Sequence, residues 1–212
     1  MKKKSLQGLY AITDSTLLCD NPIEKVQLAI AGGINILQYR NKTASMDVQT
    51  QEAQELAQLC HQHDVMFLIN DAVDLAIEVN ADGVHLGQSD ASLQDARKRL
   101  GDDKIIGVTC HNDLQLALEA EKNGADYIAL GRFYPSLTKP NASAAKIELL
   151  HDAAQVLTIP IVAIGGIQHN NAKELLKQGA DMIAVIHSLF GQSDILESTQ
   201  EFVDIINQAK SH

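Results

Sequence analysis

MFLINDAVDLAIEVNADGVHLGQSD, residues 66–90, reads as strand, turn, helix, turn and strand. Met66 to Ile69 is a short continuous apolar run, VDLAIEV repeats its apolar residues at helical spacing, and Gly83 reopens an extended segment. Together they predict one βαβ unit. A right-handed crossover makes its strands parallel, so their C-terminal ends share one edge of the sheet. An acid follows each strand at that edge, Asp71 after MFLIN and Asp90 shortly after GVHLG. Two carboxylates there suit Mg2+, a hard cation that takes one or two protein carboxylates and fills its octahedron with water and phosphate oxygens. A local reading competes, in which Asp71 caps the following helix and Asp90 begins the next one. The stretch alone leaves both open.

Outward from it the same alternation continues. Nearly all-apolar runs at 9–13, 34–40, 66–70, 83–87, 105–110, 127–131, 159–165 and 182–187 predict strands covered on both faces. Helical patterns at 22–31, 47–63, 73–80, 92–100, 113–123, 145–157, 170–178 and 195–209 follow them in turn. Eight βα steps within 212 residues predict an α/β protein, a single (β/α)8 TIM barrel with 1–212 as one domain. A weak repeat supports the count: Asn80-Ala81-Asp82, Gly124-Ala125-Asp126 and Gly179-Ala180-Asp181 each join a helix end to a strand. The first residue supplies a left-handed helix stop, and the Asp is structural, on the bottom face.

Composition narrows the partners. A formal net charge of −10 argues against a nucleic-acid binder, which needs a basic face. Cys19, Cys60 and Cys110 are odd in number and widely spaced, so the sequence predicts neither a disulfide framework nor structural zinc and fits a reducing cytoplasm. Lys2, Lys3 and Lys4 precede no apolar signal segment, and no apolar run approaches the roughly 20 residues of a membrane span. The oligomeric state stays open, and a homo-oligomer is compatible with the chain.

In a barrel of this kind the active site lies at the C-terminal ends of the strands. Those ends carry Gln38-Tyr39-Arg40-Asn41-Lys42, Asn70-Asp71, Gln88 and Asp90, Thr109-Cys110-His111, Arg132 and Pro135-Ser136-Leu137-Thr138-Lys139, Gly165-Gly166, and Ile186-His187-Ser188. A cationic mouth on an acidic protein predicts an anionic partner. Gln38, Arg40 and Lys42 alternate, so a persisting strand would project them on one side to grip a diphosphate. The bland reading of these three is a solvated strand end. Gly165-Gly166 and the end of the eighth strand stand where many barrels bind phosphate through backbone N–H groups, although a turn alone also explains a Gly pair. The reading is two anion sites in one mouth, for two phosphorylated small molecules. His85 reads as a core histidine before a catalytic one, and Cys110 has no base beside it in sequence to make it a nucleophile.

The segments GLYAITD, ILQYRNK, LINDAVDLAIEVNADGVHLGQSD, IGVTCHN, GADYIALGRFYPSLTKP, IVAIGGI and GADMIAVIHSLF stand in the order of the thiamine-phosphate synthase family, which the chain resembles over almost its whole length. The resemblance implies Mg2+-dependent joining of a pyrimidine diphosphate to a thiazole phosphate, with release of diphosphate. It assigns Gln38, Tyr39, Arg40, Asn41, Lys42, Asn70, Thr109 and Lys139 to the pyrimidine diphosphate, with Arg40, Lys42 and Lys139 stabilising the leaving group. It assigns Asp71 and Asp90 to Mg2+, and Pro135, Ser136, Leu137, Thr138, Gly166, Ile186 and His187 to the thiazole phosphate. The chain departs from the family's usual Ser at Thr109, Thr at Ser136 and Ser at His187; the first two keep a hydroxyl, and Ser188 adjoins the third. A thiazole tautomerase-like barrel and a non-catalytic phosphate-ligand binder are the alternatives, and the intact QxRxK segment and paired Asp argue against both.

Overall fold

The computed structural model describes residues 6–136 and 143–210. Among these, the strands are β1 (Gly8–Ile12), β2 (Ile36–Tyr39), β3 (Met66–Asn70), β4 (Gly83–Leu86), β5 (Ile105–His111), β6 (Tyr127–Leu130), β7 (Ile161–Ile164) and β8 (Met182–Val185). The helices are α1 (Pro22–Gly32), α2 (Met46–Gln62), α3 (Val73–Glu78), α4 (Leu93–Leu100), α5 (Leu114–Lys122), α6 (Glu148–Val156), α7 (His169–Lys177), α8 (His187–Phe190) and α9 (Ile195–Lys210). Every strand pairs in parallel with the next in sequence, and β8 pairs with β1 to close the barrel. The predicted strands are all present, and the predicted (β/α)8 fold is the fold. Among the described residues no helix is long and apolar enough to cross a membrane.

The near-continuous apolar runs have a simple cause. Tyr10, Ile36, Leu68 and Met182 fill the barrel interior, while their neighbours Leu9, Leu37, Phe67 and Ile183 pack outward under the helices. Both faces are buried, so neither alternates with polar residues. Local signals set the helix starts: Pro22 opens α1, Ser92 Oγ accepts the Asp95 N–H at 3.1 Å, and Asp113 Oδ1 accepts the Gln115 N–H at 2.8 Å.

The repeated Asp residues are latches on the bottom face. Asp82, Asp126 and Asp181 accept the backbone N–H groups of Phe67, Ile106 and Ile161, each at 2.8 Å. Each turn into an even-numbered strand thereby holds the start of the odd-numbered strand before it. Asn35 does the same for β1, its Oδ1 accepting the Leu9 N–H at 3.0 Å. One helix was not foreseen: the chain leaves β8 at Val185 and turns at once into α8, so His187 begins a helix and does not extend the strand.

Candidate active site at the C-terminal rim

The acid pair sits where the βαβ unit predicts it. Asp71 follows β3 directly and adopts φ 63°, a left-handed conformation uncommon outside glycine, asparagine and aspartate. Its N–H donates to the His85 carbonyl at 2.9 Å, which holds it against the end of β4. The capping alternative falls away. Helix α3 has Ala72 at its N-cap with no side-chain cap bond, and α4 is capped by Ser92. Asp71 Oδ2 instead takes Lys42 Nζ at 3.0 Å and the Asn70 amide at 2.5 Å, while Asp90 Oδ2 accepts the Gly87 N–H at 2.8 Å.

The two carboxyl groups stand close enough to shift each other's protonation. Desolvation pushes Asp71 upward, but the bonds from Lys42 and Asp90, the Lys42 charge and the Asn70 amide outweigh it and hold Asp71 below the usual carboxylate range. Asp90 is raised by desolvation and by its ionised neighbour, against the pull of Gly87 and Lys42. Two interacting carboxyl groups beside a lysine, one lowered and one raised, are a site where a hard divalent cation can take the place of a proton. Among the described residues no cluster of three or more His, Cys, Asp or Glu side chains is arranged to hold a metal; a cation held by two carboxylates would need its other ligands from water and substrate.

The cationic segment differs from the expected row. Strand β2 ends at Tyr39, and Gln38, Arg40 and Lys42 stand at three depths. Gln38 is 2% exposed inside the barrel, its Nε2 donating to Tyr10 OH at 2.6 Å. Arg40 lies at the rim, its guanidinium 3.9 Å from Asp14 Oδ2, and Lys42 reaches over to Asp71. Tyr39 and Asn41 turn away toward α2, where Tyr39 OH and Asn41 Nδ2 donate to the same Glu52 oxygen at 2.6 and 3.0 Å. With Arg40 and Glu52 they line a pocket of about 110 Å3 on that outer side.

Thr13 fixes the Arg40 backbone. Its Oγ1 accepts the Arg40 N–H at 2.7 Å and donates to the Arg40 carbonyl at 3.2 Å, extending the β1–β2 pairing by a side chain. Sequence reasoning missed this role, although Thr13 was visible as the polar end of an apolar strand. Glu52 gave no signal beyond an acidic residue in a helix. Thr109, on β5, faces the barrel interior with Oγ1 2.7 Å from His85 Nε2, and its carbonyl accepts from Gln88 Nε2 at 2.6 Å.

Across the mouth, Gly166 has φ 65°, and a Cβ there would stand 2.3 Å from the Pro135 carbonyl oxygen. Only glycine lets the segment carrying Pro135 and Ser136 close over the end of β7, where the Tyr134 N–H also donates to Gly165 O at 3.0 Å. Ile186 and exposed His187 adjoin on the β8 side. Ser188 offers no substitute hydroxyl, because its Oγ donates to the Ile167 carbonyl at 2.6 Å. Leu137, Thr138 and Lys139 lie outside the described residues.

Comparison with known proteins identifies the family. A family model described as thiamine monophosphate synthase matches residues 9–189. The chain is 46% identical over 210 residues to a thiamine-phosphate synthase of Nitrosospira multiformis, covering 99% of this chain and 90% of that protein. It is 52% identical over 190 residues to one of Alcanivorax borkumensis, covering 89% and 88%. The solved thiamine phosphate pyrophosphorylase from Pyrococcus furiosus superposes with a TM-score of 0.88 at 37% identity, covering 96% of both chains.

Proposed function

The chain belongs to the thiamine monophosphate synthase family, and from that premise we propose that it joins 4-amino-2-methyl-5-(diphosphooxymethyl)pyrimidine to a thiazole phosphate, giving thiamine phosphate and diphosphate. It is a transferase of thiamine biosynthesis, acting as one barrel domain over 1–212 in the cytoplasm. The observation that carries the reading is the Lys42–Asp71–Asp90 constellation on the same rim as Gly166 and Pro135.

Asp71 and Asp90 would hold Mg2+, and Asn70 orients Asp71 through its amide. The cation, when bound, would supply Lewis-acid neutralisation of the diphosphate. Arg40, Lys42 and Lys139 add fixed positive charge where negative charge develops as the diphosphate departs. The breaking C–O bond leaves its electron pair on the diphosphate. The aminopyrimidine ring feeds electron density to the exposed methylene carbon, and the thiazole nitrogen closes the new C–N bond. Gln38 and Thr109 hold the pyrimidine, while Pro135, Ser136, Leu137, Thr138, Gly166, Ile186 and His187 hold the thiazole phosphate in line with it. Alignment of two bound reactants supplies the rest of the acceleration. Tyr39 and Asn41 serve the pyrimidine site through the backbone they hold against Glu52.

A tautomerase-like barrel leaves the acid pair and Lys42 without a task. The test is incubation with both substrates, with and without Mg2+, following thiamine phosphate and diphosphate together. Thiamine phosphate formed only with Mg2+ is expected; no product when both ligands bind rejects the synthase reading.

A further inference from the structure

A chain of hydrogen bonds crosses the barrel interior, and the function above uses only its two ends. Gln38 Nε2 donates to Tyr10 OH at 2.6 Å, Tyr10 OH lies 2.8 Å from Tyr127 OH, and Tyr127 OH lies 2.9 Å from His85 Nδ1. His85 Nε2 completes it, 2.7 Å from Thr109 Oγ1. Gln38, Tyr10, Tyr127 and His85 are all buried. The His85 and Tyr127 rings stack at 5.6 Å, and Gly107 makes room for them, since a Cβ there would stand 1.9 Å from Tyr127 Cζ.

The distances admit either donor between Tyr10 and Tyr127 and either His85 tautomer. With Gln38 donating to Tyr10, the arrangement that gives both phenol protons an acceptor within the chain sends the Tyr10 proton to the Tyr127 oxygen and the Tyr127 proton to His85 Nδ1. A neutral imidazole that accepts at Nδ1 carries its hydrogen on Nε2, which then donates to Thr109. Thr109 Oγ1, already accepting, keeps its own hydrogen for a further partner. Burial raises both phenols far above their ordinary value, so the two protons stay in place at neutral pH.

We infer that His85 is a positioning residue, held in the Nε2–H tautomer by the chain from Gln38, and that it thereby makes the Thr109 hydroxyl a hydrogen-bond donor to the pyrimidine ring. The ligand's identity rests on the function proposed above; the direction of the chain does not. A histidine that merely fills the core would be indifferent to that direction.

Nitrogen-15 spectra of the His85 ring, together with calorimetric binding of each substrate separately, test this. In the wild type Nδ1 resonates as the unprotonated nitrogen and Nε2 as the protonated one; the reverse assignment overturns the inference. Tyr127→Phe breaks the chain with little change of shape, so the ring becomes a mixture of tautomers and pyrimidine diphosphate binds about tenfold more weakly, with thiazole phosphate binding unchanged. His85→Gln with Tyr127 intact, whose amide oxygen accepts from Tyr127 and whose NH2 donates to Thr109, keeps most of the wild-type affinity. Wild-type affinity in Tyr127→Phe overturns the inference, and if that variant fails to fold the wild-type spectrum decides. A wild type that binds no pyrimidine diphosphate overturns the ligand assignment and the functional reading together, while the ring spectrum still reports the chain's direction.

Discussion

Asp71 keeps a φ of 63° at the end of β3 although nothing in the local turn calls for an acid there, since α3 takes no cap from it. A sparsely populated conformation held at a strand end is the kind of local cost that marks a functional position. Asp71→Asn tolerates the same left-handed backbone and has the same shape but removes the charge. Its Mg2+-dependent turnover should fall about a hundredfold or more with the melting temperature nearly unchanged, and normal turnover would remove the metal role. Thr13→Val makes a second prediction. The methyl replaces the hydroxyl that bridges the Arg40 N–H and carbonyl, so KM for the pyrimidine diphosphate should rise severalfold while the KM for thiazole phosphate stays fixed; the lost bonds should cost about 1–2 kcal/mol in denaturant titration. At this scale the sequence was only partly legible. The acids were readable because the βαβ topology puts both strand ends on one edge. The directions of Tyr39 and Asn41, the depth of Gln38 and the commitment of Ser188 were not, because each depends on where a strand stops, a residue or two from where its apolar run stops.

At the scale of elements, the helix-stop repeat turned out to fasten strands as well as end helices. Its fourth copy, Gly33-Ile34-Asn35, was hidden in the sequence because Asn stands where the others have Asp, yet its side-chain oxygen performs the same task. Helix α8 was invisible for a different reason: HSLF spans about one turn, too short to show a period. The eight strands and the other helices were legible because long apolar runs and helical spacing agree with where the chain is buried. The latch predicts a stability effect separable from function. Asp126 accepts the Ile106 N–H and also receives Arg97 Nη2 at 2.6 Å. Asp126→Ala therefore leaves a backbone donor at the start of β5 unpaired and should lower unfolding stability by about 2–3 kcal/mol. Turnover per folded molecule should not change. Asp126→Asn, which retains an acceptor oxygen, should recover part of the loss, and an equal loss in both variants would assign the effect to the charge on Arg97 instead.

For the whole molecule, the decisive property is that one closed barrel brings both proposed anion-binding ends to a single rim. Lys42 and the acid pair belong to the β2–β4 side, and Gly166 with Pro135 to the β6–β7 side. Cys110 lies near the rim in sequence, but burial pushes its thiol up to about 12, aided by the Asp113 charge, and its Sγ is 3.7 Å from the Val108 carbonyl oxygen. A thiol so placed stays protonated at neutral pH and is a poor nucleophile. With Cys110 set aside, the proposed function predicts that the pyrimidine passes directly from diphosphate to thiazole with both molecules bound. Initial rates measured while varying one substrate at several fixed levels of the other should give intersecting double-reciprocal lines, the pattern of a ternary complex. Parallel lines would require a pyrimidinyl-enzyme, and mass spectrometry of enzyme mixed with the pyrimidine diphosphate alone checks the same point. The protein mass should be unchanged, and Cys110→Ala should turn over at the wild-type rate.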